Sequence, residues 1–81
     1  MNITKIFETK EVADYLIKRN LLSQYQKCKR YILEGFLKNV NFKARQPKKD
    51  GIYYFRINQK YRAICIIVRN ELRVFEIDDH Q

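Results

Sequence analysis

Apolar and polar residues alternate through the last thirty residues of the chain, and this pattern predicts β-structure over residues 52–81. β-branched and aromatic residues dominate the stretch, and polar clusters interrupt it at residues 58–60 and 69–71. Polar clusters of this kind mark turns between strands. The sequence therefore predicts three antiparallel strands joined by two short turns.

The predicted turns decide which side chains share a face of this sheet. With three residues in each turn, Ile57 lies opposite Tyr61, and Val68 lies opposite Leu72. Because side chains alternate between the two faces of a strand, one face is predicted to be apolar. Its members are Phe55, Ile57, Ala63, Cys65, Ile67, Phe75 and Ile77, with Tyr53, Tyr61 and Arg73 at its margins. The opposite face carries Tyr54, Arg56, Arg62, Ile64, Ile66, Val68, Leu72, Val74, Glu76, Asp78 and His80.

Two arginines on the second face give the first indication of function. The predicted register makes Arg56 and Arg62 direct neighbours on adjacent strands. Like charges in this arrangement cost stability unless an anion lies between them. The pair therefore indicates a surface that binds anionic groups.

The first half of the chain is predicted to contain a short edge strand at residues 2–7 and two helices. Thr9 is a suitable N-cap for the first helix, and Asn20 is a suitable end. A second helix is predicted over residues 22–34, with Gly35 just after its end. Apolar residues recur at three- and four-residue spacing in both helices, which predicts an αα-hairpin that packs on the apolar face of the sheet.

The predicted fold class is α+β, with two layers formed by an N-terminal strand, an αα-hairpin and a three-stranded antiparallel meander. A chain of 81 residues has room for one small domain, spanning residues 1–81. No apolar run approaches the roughly 18 residues of a membrane span, and the N-terminus does not resemble a signal peptide. We therefore expect a cytoplasmic protein.

Cys28 and Cys65 are the two cysteines of the chain, and His80 is its single histidine. Neither cysteine has a partner at the spacing of a zinc motif, so we expect no metal site and no cofactor. Each cysteine lies in a predicted apolar stripe and is interpreted as a small core residue in a reducing compartment.

Positive charge is concentrated in the middle of the chain. The net charge is +8, and residues 38–62 contribute eight Lys and Arg against one acidic residue, whereas residues 1–37 contribute +3 and residues 63–81 contribute −2. Residues 38–51 contain the only proline and show no sustained period, which predicts a basic loop with a short extended piece at residues 40–43. This distribution indicates a polyanion or an acidic protein as partner.

The basic loop and the arginine face together form a candidate RNA-binding surface. Arginine binds phosphate oxygens through two parallel hydrogen bonds, and lysine adds diffuse attraction. Tyr54 and Tyr61 are candidates for stacking on exposed bases, although aromatic residues in strands more often serve packing. The candidate residues are Lys43, Arg45, Lys48, Lys49, Tyr54, Arg56 and Tyr61.

His80 follows the last strand and, by alternation, is predicted to share a face with Arg62. A neighbouring carboxylate, Asp78 or Asp79, can orient an imidazole for proton transfer. His80 is predicted to assist cleavage in which the 2′-hydroxyl of the RNA attacks the adjacent phosphate. Arg62 would stabilise the charge of the five-coordinate phosphate, and no metal would be needed. The alternative for Asp78 and Asp79, tail charges that only aid solubility, stays open.

Three motifs of the C-terminal half resemble those of the RelE/ParE toxin superfamily of bacterial type II toxin–antitoxin systems. They are YYFRIN at 53–58, YRAI at 61–64 and VFEIDDH at 74–80. The first two are similar to the family's Y-x-x-R-I and Y/W-R-I/L motifs, and the third is similar to the terminal E-I-x-D-Y-H of the HigB-like branch. The chain departs from the family at Asp79, which replaces a tyrosine, and it lacks a clear match to the central base of some relatives.

The resemblance implies that the helical hairpin covers one side of a twisted sheet and leaves a concave basic face. In RelE- and HigB-like members this face enters the ribosomal A site and cuts mRNA. By resemblance, Arg62 handles the scissile phosphate, His80 is the terminal catalytic histidine, and Asp78 is the acid two residues before it. The residues in the region that grips RNA are Lys43, Arg45, Lys48, Lys49 and Arg56.

The resemblance also implies two partners, a ribosome with bound mRNA and a cognate acidic antitoxin that forms a hetero-oligomer with the toxin. The leading hypothesis is therefore a metal-independent endoribonuclease, an mRNA interferase that inhibits translation. One alternative is a ParE-like inhibitor of DNA gyrase without nuclease activity, and another is a non-catalytic RNA-binding relative. ParE-like members usually lack the terminal histidine and the dense basic face, which favours the nuclease.

Overall fold

The computed structural model describes residues 2–79 and confirms the predicted α+β fold. None of the helices in this part of the chain has the length and apolar character that a membrane crossing requires. The regular elements, in chain order, are β1 (Lys5–Glu8), α1 (Lys10–Lys18), α2 (Leu22–Leu33), β2 (Lys43–Ala44), β3 (Ile52–Arg56), β4 (Tyr61–Val68) and β5 (Glu71–Asp79).

All five strands form one sheet with the spatial order β1–β5–β4–β3–β2. β3, β4 and β5 are the predicted antiparallel meander. β1 is an edge strand, as predicted, and it pairs with β5 in parallel. β2 forms the opposite edge and pairs with β3 in antiparallel orientation.

The connection between α2 and β3 is more structured than the predicted basic loop. Two 3₁₀ helices, Leu37–Val40 and Lys48–Asp50, flank the short strand β2. The predicted extended piece at residues 40–43 is wrong, because Val40 ends the first 3₁₀ helix and is buried in the core. Asn41, with a φ of 52°, then redirects the chain into β2.

Local signals account for the ends of both helices. The hydroxyl of Thr9 accepts a hydrogen bond from the main-chain N–H of Val12 at 3.1 Å and caps α1, as predicted. Asn20 adopts a φ of 56° in the link between the helices. Gly35 follows α2 with a φ of 88°, a conformation in which a residue with a Cβ would be strained.

The helices cover one face of the sheet, and the core lies between these two layers. Fully burying a large apolar side chain contributes about 1.5–3 kcal/mol, so this layer supplies most of the stability. Cys28 and Cys65 are free and buried, which confirms their predicted core role, and burial raises the pKa of the Cys65 thiol to about 12. The largest core side chains with almost no exposure are Leu16, Tyr25, Ile32, Phe55, Leu72, Val74 and Cys65.

Tyr25 is the one of these core side chains that carries a hydroxyl. Its ring stacks on Phe55 with 6.1 Å between the ring centroids. The hydroxyl donates a hydrogen bond to Oε1 of Glu8 at 2.7 Å, and Lys29 forms an ion pair with the same oxygen at 3.3 Å. Burial raises the pKa of Tyr25, so the hydroxyl keeps its proton and links α2 to the edge strand β1.

The turn between β4 and β5 is one residue shorter than predicted. Val68 pairs with Glu71 rather than with Leu72, which leaves Arg69 and Asn70 as the two turn residues. Their φ values are 52° and 67°. Positive φ at both positions is the geometry of a type I′ turn, whose twist matches that of the flanking strands.

The shorter turn reverses the predicted alternation in the first half of β5. Leu72 and Val74 were expected on the face opposite the core, but they are 0% and 1% exposed and belong to the core. Phe75 was expected in the core, but it is 42% exposed. Arg73 was expected at the margin of the apolar face, but it pairs with Ile66 and is exposed on the opposite face. A shift of one residue in register moves every side chain of a strand to the other face, which explains the errors at Leu72, Arg73 and Val74.

A β-bulge at Phe75 restores the predicted alternation in the rest of β5. Two consecutive residues of β4 pair with Val74 and Glu76, so Phe75 is the extra residue without a partner. Beyond the bulge, Asp78 pairs with Arg62, as the predicted register requires.

The type I′ turn makes a testable prediction about stability. Arginine is disfavoured at positive φ, whereas asparagine tolerates it, so Arg69→Asn should raise the free energy of unfolding by about 0.5–1 kcal/mol. Urea denaturation followed by circular dichroism measures this change. Gln59→Asn is the matched control, because Gln59 lies in the other hairpin and has no positive φ. Equal effects of the two substitutions would contradict the two-residue turn.

Candidate nucleic-acid interface

The face of the sheet away from the helices carries the predicted arginine pair. Ala63 and Cys65 in β4 are buried in the core, so the neighbouring Arg62 points to the opposite side. Arg56 of β3 pairs directly with Arg62, which confirms the predicted cross-strand position. We call this side the open face, and its central residues are Tyr54, Arg56, Arg62, Ile64 and Asp78.

Two neighbouring side chains hold the guanidinium of Arg62. Its Nη2 donates a hydrogen bond to Oδ2 of Asp78 at 2.8 Å, which forms an ion pair between β4 and β5. Its Cζ lies 4.7 Å from the centroid of the Tyr54 ring on β3. The side chain is 18% exposed, and its buried Nε has no hydrogen-bond acceptor among residues 2–79. A permanently charged group is thus fixed in place and still reaches solvent.

Arg56 is held by a different group from the one that holds Arg62. Its Nη1 donates a hydrogen bond to the main-chain oxygen of Gln59 at 3.2 Å, within the hairpin that joins β3 and β4. The two arginines are therefore drawn towards separate acceptors, Asp78 on one side and the turn on the other. This separation reduces the repulsion between adjacent like charges.

The other predicted cationic residues lie along the edge of the sheet formed by β2. Lys43 pairs with Tyr54 and therefore shares the open face with Arg62. Arg45 follows β2 directly, and its main-chain N–H donates to the oxygen of Ile52 at 2.7 Å. Lys48 and Lys49 are exposed in the second 3₁₀ helix. The edge thus extends the positive charge of the open face with unburied side chains.

Tyr61 lies apart from this cluster, on the face that the helices cover. Its ring contacts the ring of Tyr15 edge-on, with 6.2 Å between the centroids, and it packs against the core. The position at the margin of the apolar face is the predicted one. The structure does not bring Tyr61 together with Arg62, its neighbour in sequence, because adjacent residues of a strand point to opposite faces.

His80, the residue predicted to transfer protons, lies outside the described residues. The last described residue, Asp79, has a carboxylate 3.8 Å from Nζ of Lys60, and both side chains are well exposed. Asp78 is engaged with Arg62, as described above. Within residues 2–79, no group of three or more His, Cys, Asp or Glu side chains could hold a metal ion.

Ile64 is a part of the site that sequence reasoning did not single out. It is 1% exposed although it lies on the open face, outside the core cluster. Its partners on the adjacent strands are Tyr54 and Glu76. An apolar residue buried beside Arg62 lowers the local dielectric and strengthens the nearby charge interactions. The predicted alternation places Ile64 on this face together with Ile66 and Val68, and no feature of the sequence distinguishes it from them.

The chain has the fold of a chain in a solved toxin–antitoxin complex. It matches a chain in the crystal structure of the heterotetrameric YoeB-YefM toxin–antitoxin complex from Staphylococcus aureus, with a TM-score of 0.70 and coverage of 100% of both chains. The sequences are 14% identical, so the likeness is one of fold. No protein-family model matches the chain, and no curated protein does either.

The ion pair between Arg62 and Asp78 should contribute measurably to stability. A double-mutant cycle with Arg62→Met and Asp78→Asn is expected to give a coupling energy of about 1 kcal/mol, which weakens as salt rises to about 1 M. Urea denaturation of the four proteins provides the measurement.

The exposed pair of Lys60 and Asp79 is the internal control for this cycle. Its atoms are 3.8 Å apart, and the side chains are 52% and 41% exposed. The same cycle on this pair should give a coupling near zero, because water screens exposed charges. Equal coupling for both pairs would mean that Arg62 is not held as described.

Proposed function

We propose that this protein is the toxin of a type II toxin–antitoxin system and that it cuts mRNA in the ribosomal A site without a metal. The observation that carries the proposal is the guanidinium of Arg62, fixed on a basic open face by Asp78 and Tyr54. The fold shared with a chain of the YoeB-YefM complex supports it, as does the resemblance of three motifs to the RelE/ParE superfamily.

The proposed chemistry is attack of the RNA 2′-hydroxyl on the adjacent phosphorus. The new oxygen–phosphorus bond forms a cyclic phosphate, and the bond to the 5′-oxygen of the next nucleotide breaks. Negative charge builds on the phosphate oxygens in the transition state. The guanidinium of Arg62 is already held in position and would stabilise this charge, so little rearrangement is needed during the reaction.

The reaction also requires two proton transfers, from the attacking 2′-hydroxyl and to the leaving 5′-oxygen. We assign these to His80, because histidine is the side chain best suited to exchanging protons near neutral pH. Asp78 contributes by holding Arg62, which is the contact it makes in the structure.

The remaining cations of the interface are proposed to bind RNA rather than to react with it. Arg56 and Lys43 share the open face with Arg62 and can contact the phosphates next to the scissile one. Arg45, Lys48 and Lys49 are exposed and supply longer-range attraction.

The proposed protein partner is a cognate acidic antitoxin. A chain of net charge +8, in which residues 38–62 carry eight Lys and Arg against one acidic residue, offers an acidic segment strong electrostatic complementarity. The similar chain comes from a heterotetrameric toxin–antitoxin complex, which supports a hetero-oligomer here. Covering the open face would also block access to Arg62, so the antitoxin would inhibit the toxin directly.

Cleavage on ribosomes tests the proposal. A defined message is translated in the presence of the protein, and 3′ ends are mapped by primer extension. Cuts within the A-site codon are expected, and Arg62→Lys should slow them by about 10²–10³-fold, because lysine lacks the fixed planar fork. His80→Ala should abolish them. Arg73→Lys is the control. Arg73 is an exposed residue of the open face that pairs with Ile66, and it lies next to β1, at the edge of the sheet opposite β2.

Each other outcome of this experiment contradicts part of the proposal. Cutting of naked RNA would contradict dependence on the ribosome. An intact message together with trapped gyrase–DNA complexes would favour a ParE-like gyrase inhibitor. An intact message on ribosomes that still bind the protein would indicate a non-catalytic RNA-binding relative.

The salt dependence of RNA binding tests the role of the edge lysines. Replacing Lys48 and Lys49 by glutamine should reduce the slope of log K against log salt by about 1.4, since each phosphate contact to single-stranded RNA contributes about 0.7. Fluorescence anisotropy with a labelled oligonucleotide measures the slope. Lys10→Gln with Lys18→Gln, on the exposed side of α1, is the charge-matched control and should leave the slope nearly unchanged.

A further inference from the structure

The ring of Tyr54 is paired with the guanidinium of Arg62. The Cζ atom lies 4.7 Å from the ring centroid, which is within the range of a cation–π interaction. Tyr54 pairs with Ile64, and Arg62 is two residues before Ile64 in β4, so Tyr54 and Arg62 are diagonal neighbours on one face. Their contact is therefore set by the register of the two strands.

The environment of Arg62 shows why a ring at this position matters. Nε is buried and has no acceptor among the described residues, and Nη2 is held by Asp78 of β5. The ring on β3 attracts the positive charge where no hydrogen bond compensates for burial. Contacts from both neighbouring strands therefore restrain the guanidinium, one through its Nη2 and one through the aromatic ring 4.7 Å from its Cζ.

Restraining this side chain has a consequence for catalysis. A free arginine samples many rotamers and loses that freedom when it binds a phosphate. A guanidinium that is already fixed loses less, so the transition state is stabilised at a smaller entropic cost. A base stacked on the same ring face would have to displace the guanidinium.

We propose that Tyr54 is a positioning residue whose ring sets the orientation of Arg62, and that it does not serve as a stacking platform for RNA bases. The proposal rests on the proposed function, in which Arg62 meets the scissile phosphate. Tyr54 then acts on the reaction through Arg62 and contacts no reacting atom.

Nuclear magnetic resonance tests the geometry without any activity. In the ¹⁵N-labelled full chain, the Nε–H signal of Arg62, identified by its loss in Arg62→Lys, should be shifted by the ring current of Tyr54 and should exchange slowly with water. Tyr54→Phe keeps the ring and should keep this signal. Tyr54→Leu should move the signal to an ordinary arginine position, while the dispersed main-chain spectrum shows that the protein is folded. An unshifted signal in the unsubstituted protein would overturn the proposal.

Single-turnover cleavage on ribosomes tests the consequence. Tyr54→Phe should cut at the original rate, and Tyr54→Leu should be slower by about 3- to 30-fold at saturation, the range that a cation–π contact supports. The concentration that gives half the maximal rate should stay the same. A stacking role predicts the reverse for Tyr54→Leu, a higher half-saturating concentration with an unchanged maximal rate, and that result would overturn the proposal.

Phe7→Leu is the matched control for this experiment. The centroid of the Phe7 ring in β1 lies 5.9 Å from Cζ of Arg73. The substitution therefore deletes a similar ring beside an arginine at the β1 edge of the sheet. It should leave cleavage unchanged. Cleavage by the unsubstituted protein that does not depend on Tyr54 would overturn this inference alone. No cleavage by the unsubstituted protein would overturn the proposed function, and the catalytic role of Tyr54 with it.

Discussion

The register of β4 against its two neighbours is the constraint on which the rest of the structure depends. It places Ala63 and Cys65 under the helices and Arg62 on the open face. A slip of one residue would exchange these sets and bury a permanent charge in the apolar layer, at a cost of several kcal/mol. The packing of the core therefore also holds the candidate site in position, and the two cannot vary independently.

The bulge in β5 connects this constraint to the chemistry of the open face. With a two-residue turn and no bulge, Arg62 would pair with Ile77, and Asp78 would lie opposite Tyr61 on the helix-covered side. The extra residue, Phe75, moves Asp78 next to Arg62 and leaves its own ring 42% exposed. The bulge leaves Phe75 without a partner in the strand ladder, and the ion pair between Arg62 and Asp78 that the bulge permits supplies a compensating interaction.

Sequence reasoning predicts the fold class, the helix ends and the pairing of Arg56 with Arg62, because each depends on local patterns. It also predicts the pairing of Arg62 with Asp78, but only because a turn one residue too long cancels a missed bulge one residue long. Between the two errors, Leu72, Arg73 and Val74 are assigned to the wrong faces, and Phe75 is assigned to the core although it is 42% exposed. Arg69-Asn70 lacks the Asn-Gly signal of a type I′ turn. Apolar and acidic residues alternate over residues 75–78 without any sign of a bulge. The sequence therefore predicts neither the two-residue turn nor the bulge.

The cations of the interface differ in how firmly the fold holds them, and this difference assigns their proposed roles. Arg62 is confined by contacts from both adjacent strands, whereas Lys48 and Lys49 are exposed on a short 3₁₀ helix. Long-range attraction depends on the amount of charge and hardly on its exact position, so exposed lysines serve it well. Stabilising a transition state depends on geometry within a fraction of an ångström. In the proposed reaction, the residue that contacts the reacting phosphate is therefore expected to be the restrained Arg62, and the ring of Tyr54 that restrains it is proposed to belong to the same functional unit.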